Sequence, residues 1–534
     1  MAREGDITKA GTSTQQTMTF ERIVRMGVLM ASVSFGTTYA TNVMAQDAVL
    51  RVVAPSLPAA RGNPLMSFGT PGSYTYSAMY DSLVTVDSKG DAAGQLAAGW
   101  ENLAPTKWRL RLRPDISFSN GERLDAAGMA ANIRYLLTDE GRGTVVGRDL
   151  APIIAAATPV DATTLEIETR TPNPELPRDL VRLPVVAPKA WADLGKDGFA
   201  GAPVGTGSYK VANWGPESIT FESFEGSWRK PVVKRMTITA LPEVTGRAQA
   251  LRSGQIEIAL ALSVDAFDEI NASPGVKAEI APAPYILAWA LESRNRDTPF
   301  KDKRVRQAVN YAVNKEDIVK NLYKGGGAPA SQAAIPGIFG YNPNVKPYPY
   351  DPAKAKALLA EAGYPNGFSM VAELRIGNQA ADADIYQQVA QDLGRVGIKT
   401  EIESITFADF VKKLFPGGDA KAEGFGPNTF THTGDFALEL GATAATLVQR
   451  AWSCRRVPGF YCNQDEIKLL EDAETEFDTE KRRQKLQNLM AVFHDNAPGL
   501  FITETIDVFG RSNRVSNLKM LNRVLNYHEV SLAR

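Results

Sequence analysis

The chain has 534 residues, of which 44% are hydrophobic and 22% are charged. Since one domain usually takes ~150 residues, this length predicts two or three packed lobes. The 59 Lys and Arg side chains nearly balance the 60 Asp and Glu side chains, which argues against nucleic acid or an anionic membrane surface as the partner.

The segment 1–45 has the pattern of a secretory signal peptide that is cleaved after Ala45. Two arginines precede an apolar run over 26–39, and small residues stand at the −3 and −1 positions of the cleavage site. The run is shorter than the ~20 residues that span a bilayer, and the residue directly after the cleavage site is not a Cys. We expect translation from Met1 or Met18 and a soluble, exported protein without a lipid anchor.

Strands and helices are mixed along the rest of the chain, which predicts the α/β or α+β class. Strands are predicted from alternation of apolar and polar residues, and helices from apolar residues at i, i+3, i+4 and i+7. In chain order the predictions are strands 49–54 and 107–113, helix 126–137, strand 161–170, a helix with its apolar stripe at 305, 308, 309, 312 and 313, a helix after Asn314, helix 352–362 and helix 380–396.

Capping residues set the ends of two of these helices. Asn314 is a good N-cap, and the glycines at 325–327 end the helix that follows it. Asp351 is an N-cap with Pro352 at the first helical position, and Gly363 suits a left-handed end. The sequence therefore predicts two short, well-delimited helices in this region.

The stretch 299–368, beginning PFKDKRVRQAVNYAVNKEDIV, closely resembles a block of one protein family. This is the dipeptide/oligopeptide-binding class, family 5, of the periplasmic solute-binding proteins that serve ABC importers. The resemblance extends over about 47–534, because further stretches look like the landmarks of that family in the same order. These stretches are 79–84, 96–101, 108–114, 118–122, 205–209, 253–258 and 483–501.

The resemblance implies a bilobed periplasmic-binding-protein fold of type II, in its large class with an extra inserted domain and a hinge between the lobes. The implied parts are lobe I at 46–74, 201–287 and 504–534, an inserted domain at 75–200 packed on lobe I, and lobe II at 288–503.

The function implied is that of a periplasmic substrate-binding component, a monomer that captures di- or oligopeptides between its lobes and delivers them to ABC permease subunits in the inner membrane. No cofactor is implied. The alternative is the same role for a nickel chelate, glutathione, an opine or an oligosaccharide. An enzyme is disfavoured, since the sequence lacks a Gly-x-Ser-x-Gly elbow, a His-Glu-x-x-His pair and a Walker-type phosphate loop.

The segment 431–436 resembles the aromatic-Thr-Gly-Asp sequence of the peptide-binding relatives, in which the aspartate pairs with the α-ammonium group of the peptide. Asp435 is therefore the main candidate for a ligand contact, with Gly434 and Phe436 beside it. His432 stands where a tryptophan is expected. It can stack on a ligand, bond within its loop, or complete the coordination of a chelated metal.

Other candidates for ligand contacts come from the positions implied for the cleft. The arginine that holds the ligand carboxylate in some dipeptide binders has no clear counterpart within 377–381, but Arg375 is nearby. Aromatic residues can supply apolar walls with a few fixed polar groups. The aromatic candidates are Tyr74, Trp289, Phe430, Phe436 and Trp452.

The chain has two cysteines, Cys454 and Cys462. In an exported protein this spacing favours a disulfide that closes a small loop. Two free thiols or a metal pair are the alternatives, and a metal site would need further ligands that the three histidines do not supply nearby in the sequence.

Overall fold

The computed structural model describes most of the chain after the predicted signal peptide, which lies outside the described residues. The described residues are 48–66, 69–377, 379–414, 426, 428–432, 434–438, 441–455 and 459–533. The segment Asp47–Arg534 forms one compact unit. No helix in the described part combines the length and the apolar character needed to cross a bilayer.

The described residues form helices of four to eighteen residues. The α-helices are α1 (Thr70–Tyr76), α2 (Ala126–Leu137), α3 (Asp139–Arg142), α4 (Val145–Leu150), α5 (Leu176–Asp179), α6 (Pro188–Gly201), α7 (Val244–Arg252), α8 (Asp265–Asn271), α9 (Lys303–Ala312), α10 (Lys315–Leu322), α11 (Pro352–Glu361), α12 (Asp382–Arg395), α13 (Phe407–Leu414), α14 (Ala444–Ala451), α15 (Gln464–Glu474) and α16 (Thr479–Asn496). Short 3₁₀ helices cover Leu180–Arg182 and Pro299–Lys301.

Strands alternate with these helices along the chain. They are β1 (Val49–Ala54), β2 (Val84–Val86), β3 (Ala92–Gly94), β4 (Ala97–Ala104), β5 (Lys107–Leu112), β6 (Ile154–Pro159), β7 (Thr164–Thr169), β8 (Tyr209–Trp214), β9 (Ser218–Ser223), β10 (Arg235–Ala240), β11 (Ile258–Leu262), β12 (Val276–Leu291), β13 (Phe368–Arg375), β14 (Ile398–Ile405), β15 (Thr429–His432), β16 (Asp435–Ala437), β17 (Gly499–Ser512), β18 (Val515–Ser516), β19 (Met520–Leu521), β20 (Val524–Leu525) and β21 (Ser531–Leu532).

One mixed sheet of eleven strands organises the fold, in the order β14-β13-β15-β12-β17-β11-β1-β10-β9-β8, with β16 also paired to β12. The long antiparallel strands β12 and β17 lie in its middle and join two halves. We call the half with β1, β8, β9, β10 and β11 the first half and the half with β13, β14, β15 and β16 the second half. The strands β4-β5-β7-β6 form a separate small sheet. The structure has the bilobed α/β fold that the family resemblance implied.

The pairing of β12 with β17 is irregular near its centre. The register shifts between Pro282 and Ile286, and again between Leu287 and Ala288. The boundaries predicted from the sequence for the lobe crossings, 287/288 and 503/504, fall in or beside this irregular stretch. The lobe boundaries themselves stay a prediction.

Most of the predicted elements agree with the structure within a few residues. Asp351 caps α11 by accepting a hydrogen bond from the Lys354 N–H, and Asn314 caps α10 by accepting one from the Asp317 N–H. Gly363 has a φ of 93° and ends α11 in the left-handed region. The apolar stripe of α9 and the residue after it is buried: Val305, Ala308, Val309, Ala312 and Val313.

The predicted disulfide is confirmed. Cys454 and Cys462 are bonded to each other, with their Cα atoms 4.7 Å apart. The bond ties the end of α14 to the start of α15. Neither cysteine is free, so this bond excludes both alternatives, which were two free thiols and a cysteine metal pair.

Candidate functional site

A cavity of about 610 Å³ is lined by α1, the segments around β2 and β3, the β19–β20 hairpin and neighbouring residues of β12 and β16. Pockets for small molecules usually fall between about 300 and 1,000 Å³, so this space suits a small organic ligand. Its wall combines aromatic rings with a few charged groups. Its wall includes Tyr76, Asp81, Trp228, Tyr285, Ala437 and Arg523.

Arg523 enters this wall from the tip of the β19–β20 hairpin. Its turn consists of Asn522 and Arg523, with φ angles of 50° and 65°. Such a two-residue turn normally carries Asn-Gly, because both central residues need a positive φ. An arginine in the left-handed region is strained by about 1 kcal/mol, and strain of this kind concentrates at functional sites.

The guanidinium of Arg523 is fixed from three sides. Its Nε lies 2.8 Å and 3.0 Å from the two carboxylate oxygens of Asp507, and Nη2 lies 2.7 Å from one of them. Nη1 donates to the Thr70 hydroxyl at 2.7 Å. The guanidinium also lies over the Tyr285 ring, 4.8 Å from its centre. This arrangement compensates the turn strain and holds a buried cation at the cavity.

Gln379 carries the contact from Arg523 into the second half of the fold. Arg523 Nη2 donates to Gln379 Oε1 at 3.3 Å, and Gln379 Nε2 donates to Asp435 Oδ2 at 3.3 Å. Asp435 in turn forms an ion pair of 2.7 Å with Arg375. A continuous polar chain therefore runs from Asp507 to Arg375 beside the cavity.

The structure brings together two of the predicted site residues, Asp435 and Arg375. Asp435 is 6% exposed and lies on β16 opposite Leu287 of β12. Burial raises its pKa above the usual range of an aspartate, and the positive charge of Arg375 opposes that shift. Arg375 Nη2 also donates to the backbone carbonyl of Asp435 at 2.6 Å.

Gly434 has a packing role that its sequence motif does not reveal. A Cβ at this position would lie 2.0 Å from the hydroxyl oxygen of Tyr386. Its carbonyl accepts a hydrogen bond of 3.1 Å from the Ala288 N–H. Glycine is therefore required here for close approach of the backbone to Tyr386. The neighbouring Thr433 lies outside the described residues.

His432 lies in the interior of the second half rather than on the cavity wall. It is 0% exposed, and its ring meets the Phe460 ring edge-on at 4.0 Å between centres. Its Nε2 lies 3.9 Å from a carboxylate oxygen of Glu292. Burial lowers the pKa of His432, although Glu292 acts in the opposite direction.

The aromatic candidates pack in or against hydrophobic cores, and they do not line this cavity. Tyr74 and Trp289 are almost fully buried and pack in two different cores. Trp452 packs against Phe436, with ring centres 4.7 Å apart. Phe430 is half-buried against the core that contains Trp289. For Trp289 the reason is that β12 is covered on both faces, so a large ring there fills a core.

The aromatic residues that do line the cavity come from elsewhere in the sequence. Tyr76, Tyr80, Trp228 and Tyr285 lie in its wall. Tyr76 and Tyr80 are one helical turn apart, which is a weak sequence signal, and their rings meet edge-on at 5.8 Å. Nothing local to Tyr285 distinguishes it from any other strand residue.

Asp81 organises the wall next to these rings. Its carboxylate accepts hydrogen bonds of 2.9 Å each from Gln95, Thr206 and the Trp228 indole, and it also pairs with Arg229. Its side chain is 0% exposed. Asp81 belongs to the stretch 79–84, which resembles a family landmark, but no local signal in the sequence indicates these partners.

A second set of contacts links the segments around β2, β3 and α5 to the second half. We call it the Phe339 cluster: the guanidinium carbons of Arg178, Arg482 and Arg483 lie 4.5, 5.4 and 4.4 Å from the centre of the Phe339 ring. Arg482 pairs with Glu175, and Arg483 pairs with Asp91. These contacts join the segments around β2, β3 and α5 to the second half at a place away from Arg523.

Comparisons with known proteins agree with this fold. Structures similar to it are HbpA2 from Haemophilus parasuis, with a TM-score of 0.78 and 20% identity over 91% of this chain and 100% of that one, and DppA from Helicobacter pylori in complex with peptide STSA, with a TM-score of 0.71 and 21% identity over 91% and 98%. At these identities the likeness concerns the fold.

Sequence comparison gives a nearer relative and a family. The glutathione-binding protein GsiB of Pectobacterium atrosepticum is 30% identical over 304 residues, which are 56% of this chain and 58% of that protein. The match thus spans less than two thirds of the relative. The model of the bacterial extracellular solute-binding proteins, family 5 Middle, matches residues 91–443, more than half of the chain. The resemblance seen in the sequence is confirmed, and the chain belongs to the bacterial extracellular solute-binding proteins of family 5.

Proposed function

We propose that this chain is the periplasmic substrate-binding component of an ABC transporter that imports di- or oligopeptides. The observation that carries the proposal is the cavity of about 610 Å³ beside β12 and β16, where Arg523 of its wall contacts Gln379 of the second half. Membership of family 5 and the likeness to a DppA that was solved with a peptide support the same role.

The mechanism we propose is closure around the ligand. The irregular register of β12 against β17 supplies a place to bend. Opening would break the Arg523–Gln379 hydrogen bond and the contacts of the Phe339 cluster that reach Arg178, Glu175 and Asp91. Ligand binding then shifts the population towards the closed form, which the permease subunits in the inner membrane recognise. ATP hydrolysis belongs to other subunits, so this chain acts as a monomeric receptor without catalysis or cofactor.

Asp435 and Arg375 are the proposed ligand contacts from the second half. In the structure they form an ion pair with each other at 2.7 Å. An incoming peptide can replace this ion pair with two contacts of its own. Its α-ammonium group would then pair with Asp435, and its α-carboxylate with Arg375. Charge-assisted hydrogen bonds of this kind are strong where water is excluded.

Glutathione is a second candidate ligand, favoured by one observation. The 30% identical relative is named a glutathione-binding protein, and glutathione is a small peptide with two carboxylates. A nickel chelate is supported less, because the His432 ring is fully buried between Glu292 and Phe460.

The experiment that tests the proposal is native mass spectrometry of the protein purified from the periplasm of its host, followed by identification of any released small molecule. A set of peptides, or glutathione, would support the proposed role and define the ligand length. A sugar, an opine or a metal chelate would overturn the peptide assignment. Loss of uptake of the identified compound in a deletion strain would then support the transport role, and unchanged uptake would contradict it.

A further inference from the structure

The charged groups of the cavity wall are mostly positive. Among the described residues the wall contains Arg182, Arg229, Lys519 and Arg523, and the single carboxylate is that of Asp81. The negative partners of three of these cations lie behind the wall. A ligand that enters the cavity therefore meets hydrogen-bond donors first.

Those partners hold the cations in place without lining the cavity themselves. Arg182 pairs with Asp179 at 2.7 Å, Lys519 with Glu529 at 3.1 Å, and Arg523 with Asp507 at 2.7 Å. A positioned guanidinium keeps donors for a further acceptor, because it has five N–H groups in a fixed plane. Lys519 lies at the exposed rim of the cavity, since its side chain is 75% exposed.

The carboxylates near the cavity are already engaged. Asp81 accepts hydrogen bonds from Gln95, Thr206 and Trp228, besides its ion pair with Arg229. Asp435 is 6% exposed and is paired with Arg375. An ammonium group of a ligand must displace one of these partners, whereas a carboxylate of a ligand need not.

We propose that this cavity selects ligands of net negative charge, and that Arg523 and Lys519 on and beside the β19–β20 hairpin receive a carboxylate of the ligand. The proposal rests on the proposed function, because it names the class of peptide that the receptor takes. It also explains why an arginine occupies a turn position that favours glycine: the hairpin presents the guanidinium to the ligand at the point where Gln379 meets it from the second half.

The test is isothermal titration calorimetry of the full exported chain with five probes: Ala-Glu-Ala, Ala-Gln-Ala, Ala-Lys-Ala, Ala-Ala-Ala and glutathione. Ala-Gln-Ala matches Ala-Glu-Ala in size and lacks its extra charge. We expect Ala-Glu-Ala and glutathione to bind about tenfold more tightly than Ala-Gln-Ala, since one charge-assisted contact is gained. The difference should shrink as salt is raised.

Variants test which residues cause the preference for Ala-Glu-Ala over Ala-Gln-Ala. Lys519→Gln removes an exposed charge and should reduce the Glu/Gln preference about threefold without changing the melting temperature. Arg523→Gln alone would leave Asp507 buried without its partner, so it is combined with Asp507→Asn, and the double variant should abolish the preference. Lys210→Gln is the matched control, because it removes one positive charge on β8, where Lys210 lies 3.6 Å from Glu222 and is not in the wall.

The outcomes separate this proposal from the proposed function. Equal affinities for Ala-Glu-Ala and Ala-Gln-Ala, or a preference that survives in the folded double variant, would overturn the charge selectivity and leave a peptide receptor. Loss of the preference in Lys210→Gln as well would show a general charge effect and overturn the assignment to the hairpin. Failure of all five probes to bind would overturn the proposed function and this proposal with it.

Discussion

Asp91 and Arg483 lie 392 positions apart in the chain, and their side chains form an ion pair between the β2–β3 turn and helix α16. The same guanidinium lies over the Phe339 ring. The ion pair bridges segments that the proposed opening would separate, whereas Arg483 and Phe339 lie in the same predicted lobe, 288–503. The free energy of the ion pair therefore belongs to the closed state and sets part of the closing equilibrium.

Replacement of Arg483 by Gln should weaken ligand binding without touching the cavity. A partly exposed ion pair contributes up to about 1 kcal/mol, so the apparent affinity should fall by up to about fivefold as the closed population falls. Calorimetry with the ligand identified by mass spectrometry measures the affinity, and small-angle scattering of the free protein should give a larger radius of gyration.

Arg455→Gln is the matched control for that variant. Arg455 pairs with Glu471 and Glu474, at 2.8 and 2.6 Å, inside the second half alone. It should leave both the affinity and the radius of gyration unchanged. Unaltered affinity in Arg483→Gln would mean that the Phe339 cluster does not take part in closure.

Gly434→Ala should destabilise the fold by about 1–3 kcal/mol through overpacking. The new methyl group would have its centre 2.0 Å from the Tyr386 hydroxyl oxygen and 2.5 Å from the ring carbon that carries it. Urea unfolding followed by circular dichroism measures the loss. Tyr386→Phe in the same chain should restore only part of it, because the ring carbon remains.

Gly394→Ala on helix α12 should have the opposite effect on stability and serves as the control for Gly434→Ala. No heavy atom lies within 4 Å of a Cβ built there, so the substitution should raise the free energy of unfolding by about 0.5–1 kcal/mol through helix propensity. If Gly434→Ala were as stable as the parent protein, the close approach to Tyr386 would not be essential.

The carboxyl group of Glu504 should make stability depend on pH. Burial raises its pKa to about 7, above the ordinary value of about 4.3. Between these values the folded chain binds more protons than the unfolded chain, so this group makes the free energy of unfolding fall as pH rises from about 4 to 7.

Glu504→Gln should remove that component and raise the free energy of unfolding at pH 8 by about 1–3 kcal/mol. The measurement is urea unfolding at several pH values between 4 and 8. Glu243→Gln is the control, because it makes the same substitution at an exposed position. An identical profile for Glu504→Gln and the parent protein would contradict the prediction.

Loss of the Cys454–Cys462 bond should cost about 2–3 kcal/mol, the chain-entropy value for a loop of this length. The double variant with serine at both positions should melt at a lower temperature than the oxidised protein. A reducing agent should lower the melting temperature of the parent protein and leave that of the double variant unchanged. Equal melting temperatures for oxidised and reduced parent protein would rule out a stabilising role.

The parts of the fold that the sequence predicted well depend on local signals. The stripe that begins at Val305 and the cap at Asp351 are set by helical period and by a side chain that bonds three residues ahead. Asp435 was predicted as a ligand contact from a family motif, and in the structure Arg375 forms an ion pair with it.

The cavity itself could not be predicted from local signals. Arg523 reaches its wall through contacts with Gln379 and Thr70, which lie 144 and 453 positions away in the chain. Trp289 resembles a cleft residue in the sequence, but β12 is covered on both faces, and alternation cannot tell a core from a cleft in such a strand.

The two long strands β12 and β17 pass through both halves of the sheet, and this limits how the molecule can be divided. A gene fragment for either half would lack strands that its sheet needs, and it would expose an unpaired edge that invites aggregation. The halves are therefore not modules that can be exchanged or expressed alone. Heat should melt the described chain as one cooperative unit, with the binding function and the fold lost together.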